Sequence, residues 1–102
     1  MKANVRPTFD TDMEREYFWL LEHVGEELAD RWHEAVWETI LFLGENPQLG
    51  RLRKDLQFEG VRSWRVTGFH RWLIFYGVRD DTLVLYRVVG GEMDLTALTF
   101  AD

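Results

Sequence analysis

Between Gly60 and Asp94, three stretches rich in β-branched and aromatic residues follow one another with only brief turn signals between them. Those signals are Thr67-Gly68 after the first stretch and Arg79-Asp80-Asp81-Thr82 after the second. Connections this short leave no room for the crossover that parallel neighbours need, so the three strands must pair antiparallel as a meander. They are expected at about residues 61–66, 69–78 and 83–89. The unbroken run Trp72-Leu73-Ile74-Phe75-Tyr76 in the second marks a central strand covered on both faces. In the third, simple alternation places Leu83, Leu85, Arg87 and Val89 on one face and Val84, Tyr86 and Val88 on the other. Arginines at 62, 65, 71, 79 and 87 are distributed among the three, which gives the sheet a cationic side.

The residues before the meander carry helical periodicity. Met13, Tyr17, Leu20, Leu21 and Val24 form one apolar stripe, and Thr11 with Glu14 reads as a capping box that opens a helix over residues 11–24. Gly25 stops it. Leu28, Trp32, Ala35, Val36, Ile40 and Leu43 define a second helix over residues 26–44, ended by Gly44 and Asn46-Pro47. Its stripe is widened by Trp37, Leu41 and Phe42, as suits a helix packed on both its neighbour and the sheet. Ahead of both, residues 5–9 are a short candidate strand that Pro7 restricts to an edge or a strand start. The expected architecture is α+β: an N-terminal strand, then an antiparallel helical hairpin packed on one face of a three- to four-stranded, mainly antiparallel sheet.

With 102 residues and 46% apolar content, the chain is expected to form one domain spanning residues 1–102. It contains no cysteine, so disulfides and thiolate metal sites are excluded. The N-terminal residues lack the apolar run of a signal peptide, and no apolar segment approaches the ~20 residues of a membrane span, which leads to the expectation of a soluble, cytoplasmic protein. The net charge of −6 is unevenly placed. Residues 1–50 hold eleven acidic and four basic side chains, whereas residues 51–91 hold eight basic and four acidic ones. The acidic total argues against free, non-specific nucleic-acid binding, while the basic segment still permits a local anionic ligand or an acidic partner chain. His23 and His33 are lone helical histidines without a second ligand at metal spacing, and no phosphate loop, nucleophile elbow or paired-carboxylate motif occurs. No cofactor is expected.

Four motifs in order resemble the RelE/ParE toxin superfamily, and its ParE branch most closely: Glu45-Asn46-Pro47-Gln48-Leu49-Gly50-Arg51; Gly60-Val61-Arg62-Ser63-Trp64-Arg65-Val66; Gly68-Phe69-His70-Arg71-Trp72-Leu73-Ile74-Phe75-Tyr76; and Arg87-Val88-Val89 with Gly91 and Asp94. The resemblance implies the toxin of a bacterial type II toxin-antitoxin system, of the kind that stabilises plasmids. It also implies a ParD-like antitoxin bound in a hetero-oligomer, with DNA gyrase as the target, and no sequence-specific DNA binding or membrane association by this chain.

RelE-like relatives instead cut messenger RNA on the ribosome, and a nuclease of that kind would draw here on Arg62, His70 and Arg71. The third strand's exit reads Gly90-Gly91-Glu92-Met93 where such an enzyme is expected to place a basic residue or histidine, and no tyrosine follows Tyr86. In the ParE branch a histidine often precedes the glycine and an arginine the aspartate, positions taken here by Gly90 and Met93. A ribosome-dependent endonuclease and an inactive homologue kept for partner binding therefore stand as alternatives to the gyrase poison. Antitoxin or target contacts are expected at Arg62, Trp64, Arg65, Arg71, Arg87 and Met93, with Trp64 on an accessible edge of the sheet.

Overall fold

The computed structural model describes residues 1–90, 95 and 98–100. Among them the element order is β1 (Lys2–Val5), α1 (Pro7–His23), α2 (Glu26–Glu45), β2 (Arg51–Leu52), β3 (Arg62–Val66), β4 (Phe69–Arg79) and β5 (Thr82–Gly90). The five strands form one sheet in the order β1-β5-β4-β3-β2. The meander β3-β4-β5 is antiparallel, as its short turns require, and β2 extends it antiparallel at one edge. At the other edge β1 lies parallel to β5, because the whole helical hairpin and meander separate the two in sequence and supply the crossover.

Three boundaries differ from the sequence expectation. The N-terminal strand ends at Val5, and Pro7 opens α1, so this proline starts a helix instead of limiting a strand. Its fixed φ and missing N–H suit the first helical turn. The Thr11–Glu14 capping box therefore does not form: Thr11 lies inside the helix and its hydroxyl donates to the Pro7 carbonyl at 3.1 Å. Val24, placed in the buried stripe by periodicity, is exposed, because the helix closes at His23 and Gly25 turns the chain at φ 122°. The two-residue β2 adds a strand within a segment expected to be a plain connection.

The third strand's faces also differ. Phe75 pairs with Arg87 but Tyr76 with Leu85, so Tyr86 is the extra residue of a β-bulge. Past the bulge the alternation inverts: Val88 joins Leu83 and Leu85 in the core under the helices, while Val89 joins Val84 and Tyr86 on the opposite face. At the β4–β5 hairpin, Asp80 and Asp81 take φ of 51° and 58°, the left-handed pair of a type I′ turn that aspartate tolerates.

Both faces of the sheet are covered. Under the helices, Trp32, Val36 and Leu43 of α2 and Phe9 and Leu20 of α1 pack on Trp72, Ile74 and Tyr76 of β4. On the other face Val61, Phe75 and Tyr86 are covered by Leu56 and Phe58 and by Leu95, Leu98 and Phe100. The Phe100 ring stands 5.7 Å from Phe75 and 6.1 Å from Tyr86.

Where β1 ends, α1 takes over the edge of β5. The Arg6 amide donates to the Leu85 carbonyl (3.0 Å) and the Thr8 hydroxyl to the Tyr86 carbonyl (2.9 Å). One turn and then two turns further on, Asp12 accepts from the Val88 amide (3.1 Å) and Glu16 from the Gly90 amide (3.0 Å). Side chains at i and i+4 thus satisfy edge groups that a longer β1 would have paired.

Candidate functional site: a cationic cleft beside β2 and β3

Residues 46–50 are held in place by two side chains from the sheet. The Tyr76 hydroxyl accepts from the Gly50 amide and donates to the Pro47 carbonyl, both at 2.9 Å. Burial pushes the ionisation of this phenol upward, which keeps it a neutral donor. Arg62 donates to the Gly50 carbonyl (2.8 Å), the Gln48 carbonyl (3.3 Å) and the Gln48 side-chain oxygen (3.0 Å). The clamped segment delivers Leu49 and Arg51 to the mouth of a cleft of about 510 Å³.

The cleft is walled by Leu49, Trp64 and Leu73 and lined with polar groups from Arg51, Arg53, Ser63, Arg65, Thr67 and His70. Arg53 is buried at its base, with its Nε and Nη2 on the two oxygens of Asp55 (2.9 and 2.6 Å) and its Nη1 on the Ser63 hydroxyl (3.1 Å). The hydrogen bonds from Arg53 hold the Asp55 carboxyl down at about 2, against an ordinary value of 3.8. Arg65 reaches across the β3–β4 turn to the His70 carbonyl at 2.5 Å, which fixes its guanidinium beside the cleft. Among the described residues, no carboxylate lies within 4 Å of Arg51 or Arg65.

The residues expected from sequence to carry function are dispersed. Arg65, Trp64 and His70 meet in the cleft. Arg62 is engaged with Gln48 and Gly50, and Arg71 lies with its guanidinium carbon 5.9 Å from the Trp72 ring. Arg87 is tied to Asp12 through two hydrogen bonds of 2.7 and 3.0 Å and to the Thr99 carbonyl at 3.0 Å. Trp64 is half-buried, its ring 6.2 Å from Phe42. Met93, with Gly91, Glu92 and Asp94, lies outside the described residues. Sequence reasoning did not single out Arg51 and Arg53. The available signal was the spacing Arg51-Leu52-Arg53, which puts two cations on the same side of an extended segment.

A second, shallower cleft of about 370 Å³ lies on the helical hairpin, among Met13, Glu14, Tyr17, Phe18, Asp30 and His33. There the Tyr17 hydroxyl donates to Asp30 at 2.6 Å, and that bond raises the phenol's pKa. Exposed apolar side chains continue around the hairpin: Phe18, Trp19, Leu41 and Phe42. No described helix is long and apolar enough to cross a membrane.

The family model of the ParE toxin of the type II toxin-antitoxin system parDE matches residues 4–95. The chain belongs to the ParE toxin family. Among solved structures, one described as the chromosomal ParDE TA system from P. aeruginosa aligns with a TM-score of 0.76, covering 90% of this chain and 97% of that one. At 18% identity this is a likeness of fold. No curated protein sequence matches. The ParE match spans both the helical hairpin and the meander, so the cleft and the exposed hairpin surface both belong to the family domain.

Proposed function

We propose that this ParE-family toxin is silenced by a cognate ParD-like antitoxin and, when released, poisons DNA gyrase. The observation that favours gyrase over messenger RNA as the target is the fate of the three residues a nuclease would use. Cleavage through a 2′-hydroxyl needs a base, an acid and cations gathered around one phosphate. Here Arg62 grips residues 48 and 50, Arg71 lies against Trp72, and His70 is the one of the three that lines the cleft. Purified protein is expected to inhibit gyrase supercoiling, and primer extension on translated messages is expected to show no new ends. Codon-dependent cuts would reverse the assignment of the target.

Silencing is expected from an antitoxin segment that lies across the sheet corner and along the helical hairpin. Its apolar residues would meet Phe42, Leu41 and Trp64, and its acids would meet Arg65 and Arg71. Such a segment folds as it binds, so its affinity has to come from a large wrapped surface. Co-expression with the neighbouring reading frame should restore growth and yield a stable hetero-oligomer.

A further inference from the structure

We propose that the cleft beside β2 and β3 is a nucleotide-binding site, with a phosphate held by Arg51, Arg65 and His70 and a base or sugar laid against Leu49 and Leu73. The inference rests on the cleft alone and is independent of the gyrase reading. Three guanidiniums line one concavity, and among the described residues the carboxylate within ion-pairing distance of them is Asp55, held by Arg53 and felt by Arg51 from farther off. Like charges drawn together against apolar walls raise one another's cost, and an anion between them removes that cost.

The donors are also fixed in advance. The His70 carbonyl positions Arg65, and the Arg62 and Tyr76 clamp on residues 47–50 positions the chain that carries Arg51. The Ser63 oxygen accepts from Arg53, which leaves its own hydroxyl hydrogen to donate, and Thr67 adds a second hydroxyl. Guanidinium forks match the several oxygens of a phosphate better than the two of a lone carboxylate. A volume of about 510 Å³ suits a ligand of nucleotide size, and Leu49 and Leu73 offer it an apolar wall.

The test is titration of the isotopically labelled protein at low ionic strength, following the His70, Arg51 and Arg65 side-chain NMR signals. The probes are adenosine monophosphate, an eight-residue oligoadenylate, inorganic phosphate and a glutamate-rich peptide. We expect saturable shifts with one or both nucleotide probes; the tighter of the two tells whether a free nucleotide or a strand is the natural source. Arg51→Glu with Arg65→Glu should weaken that binding by roughly tenfold or more, and Arg31→Glu on α2 should leave it unchanged. Circular dichroism checks the fold, and the pair Arg51→Gln with Arg65→Gln replaces the charge reversal if that variant is unfolded. The proposal is overturned if neither nucleotide probe binds or if the arginine substitutions have no effect. It is equally overturned if inorganic phosphate binds as tightly as the nucleotides, or if the peptide does, the latter marking a docking site for a protein's carboxylates.

Discussion

Asp12 and Arg87, separated by 75 positions in the chain, form a two-pronged ion pair that is almost fully withdrawn from solvent, with side-chain exposures of 2% and 12%. Asp12 also accepts from the Val88 amide and from Arg15, so one carboxylate joins α1 to β5 just past the Tyr86 bulge. Burying two charges is costly, and removing one partner strands the other. Asp12→Ala should therefore destabilise the domain by about 3–5 kcal/mol in chemical denaturation. The double variant Asp12→Leu with Arg87→Met should cost less than that single change. If Asp12→Ala costs under about 1 kcal/mol, the pair is not the anchor described here.

Gly50 passes so close to Tyr76 that a Cβ added there would stand 2.3 Å from the phenol oxygen. The two residues also share a hydrogen bond, and the ring is in the core, so neither can retreat without disturbing the other. Gly50→Ala should destabilise the fold and loosen the segment that carries Leu49 and Arg51. Tyr76→Phe should cost about 1–3 kcal/mol, because the buried Gly50 amide loses its acceptor. Hydrogen exchange at Gly50 distinguishes these effects from a general loss of stability: it should rise in Tyr76→Phe by more than the global change accounts for.

How far the fold could be read in advance depended on whether a signal was periodic or relational. Helical spacing from Met13 to Leu43 and the two short turns were enough to place the hairpin and the meander, because each is decided by residues close in sequence. The edge strands were legible only in part: an N-terminal strand was expected, at residues 5–9, but its bounds and the whole of β2 were not. Lys2–Val5 has no alternation of its own, and Arg51–Leu52 is too short to show any, so both are set by the partner they find. The bulge at Tyr86 is invisible to a period-two reading, which is why the assignment of Val88 and Val89 inverted. Asp12 and Glu16 of α1 bind β5 amides, a role that depends on β1 ending at Val5 and that helical periodicity does not signal. The arginines lie on the strands but not on one cationic side, since Arg62 stands opposite Tyr76 on the helix-covered face and Arg65 opposite Leu73 on the other, and composition alone could not separate those that brace loops from those that line a cleft.

The Asp55–Arg53 pair gives the cleft a pH dependence in the acid range. Because Arg53 holds the Asp55 carboxyl down at about 2, below its ordinary 3.8, the pair contributes stability that is fully present above the ordinary value and is lost as pH falls through the lower one. Asp55→Asn should therefore be less stable than the parent at neutral pH, and the gap should close between about pH 4 and pH 2. Thermal melts of both proteins across that window measure it. A gap that stayed constant down to pH 2 would show that the carboxylate's charge is not what holds Arg53.

Antitoxin capture is expected to separate into a fast electrostatic approach and a slower locking step. Arg65 and Arg71 stand exposed near the β3–β4 turn, whereas Arg62 and Arg87 are partly or largely withdrawn from solvent. Charges at the rim of an interface mainly steer encounter, and apolar burial at its centre mainly sets the lifetime. Arg65→Glu with Arg71→Glu should accordingly lower the association rate with an acidic antitoxin by roughly tenfold or more at low ionic strength, and the difference should shrink as salt is added. Phe42→Ser should act chiefly on dissociation, since it removes an exposed ring that packs against Trp64 and not a charge. Stopped-flow binding at several salt concentrations, with circular dichroism on each variant, separates the two effects. If the arginine reversal leaves the association rate unchanged while Phe42→Ser still speeds release, the antitoxin approaches over the helical hairpin without using the cationic corner of the sheet.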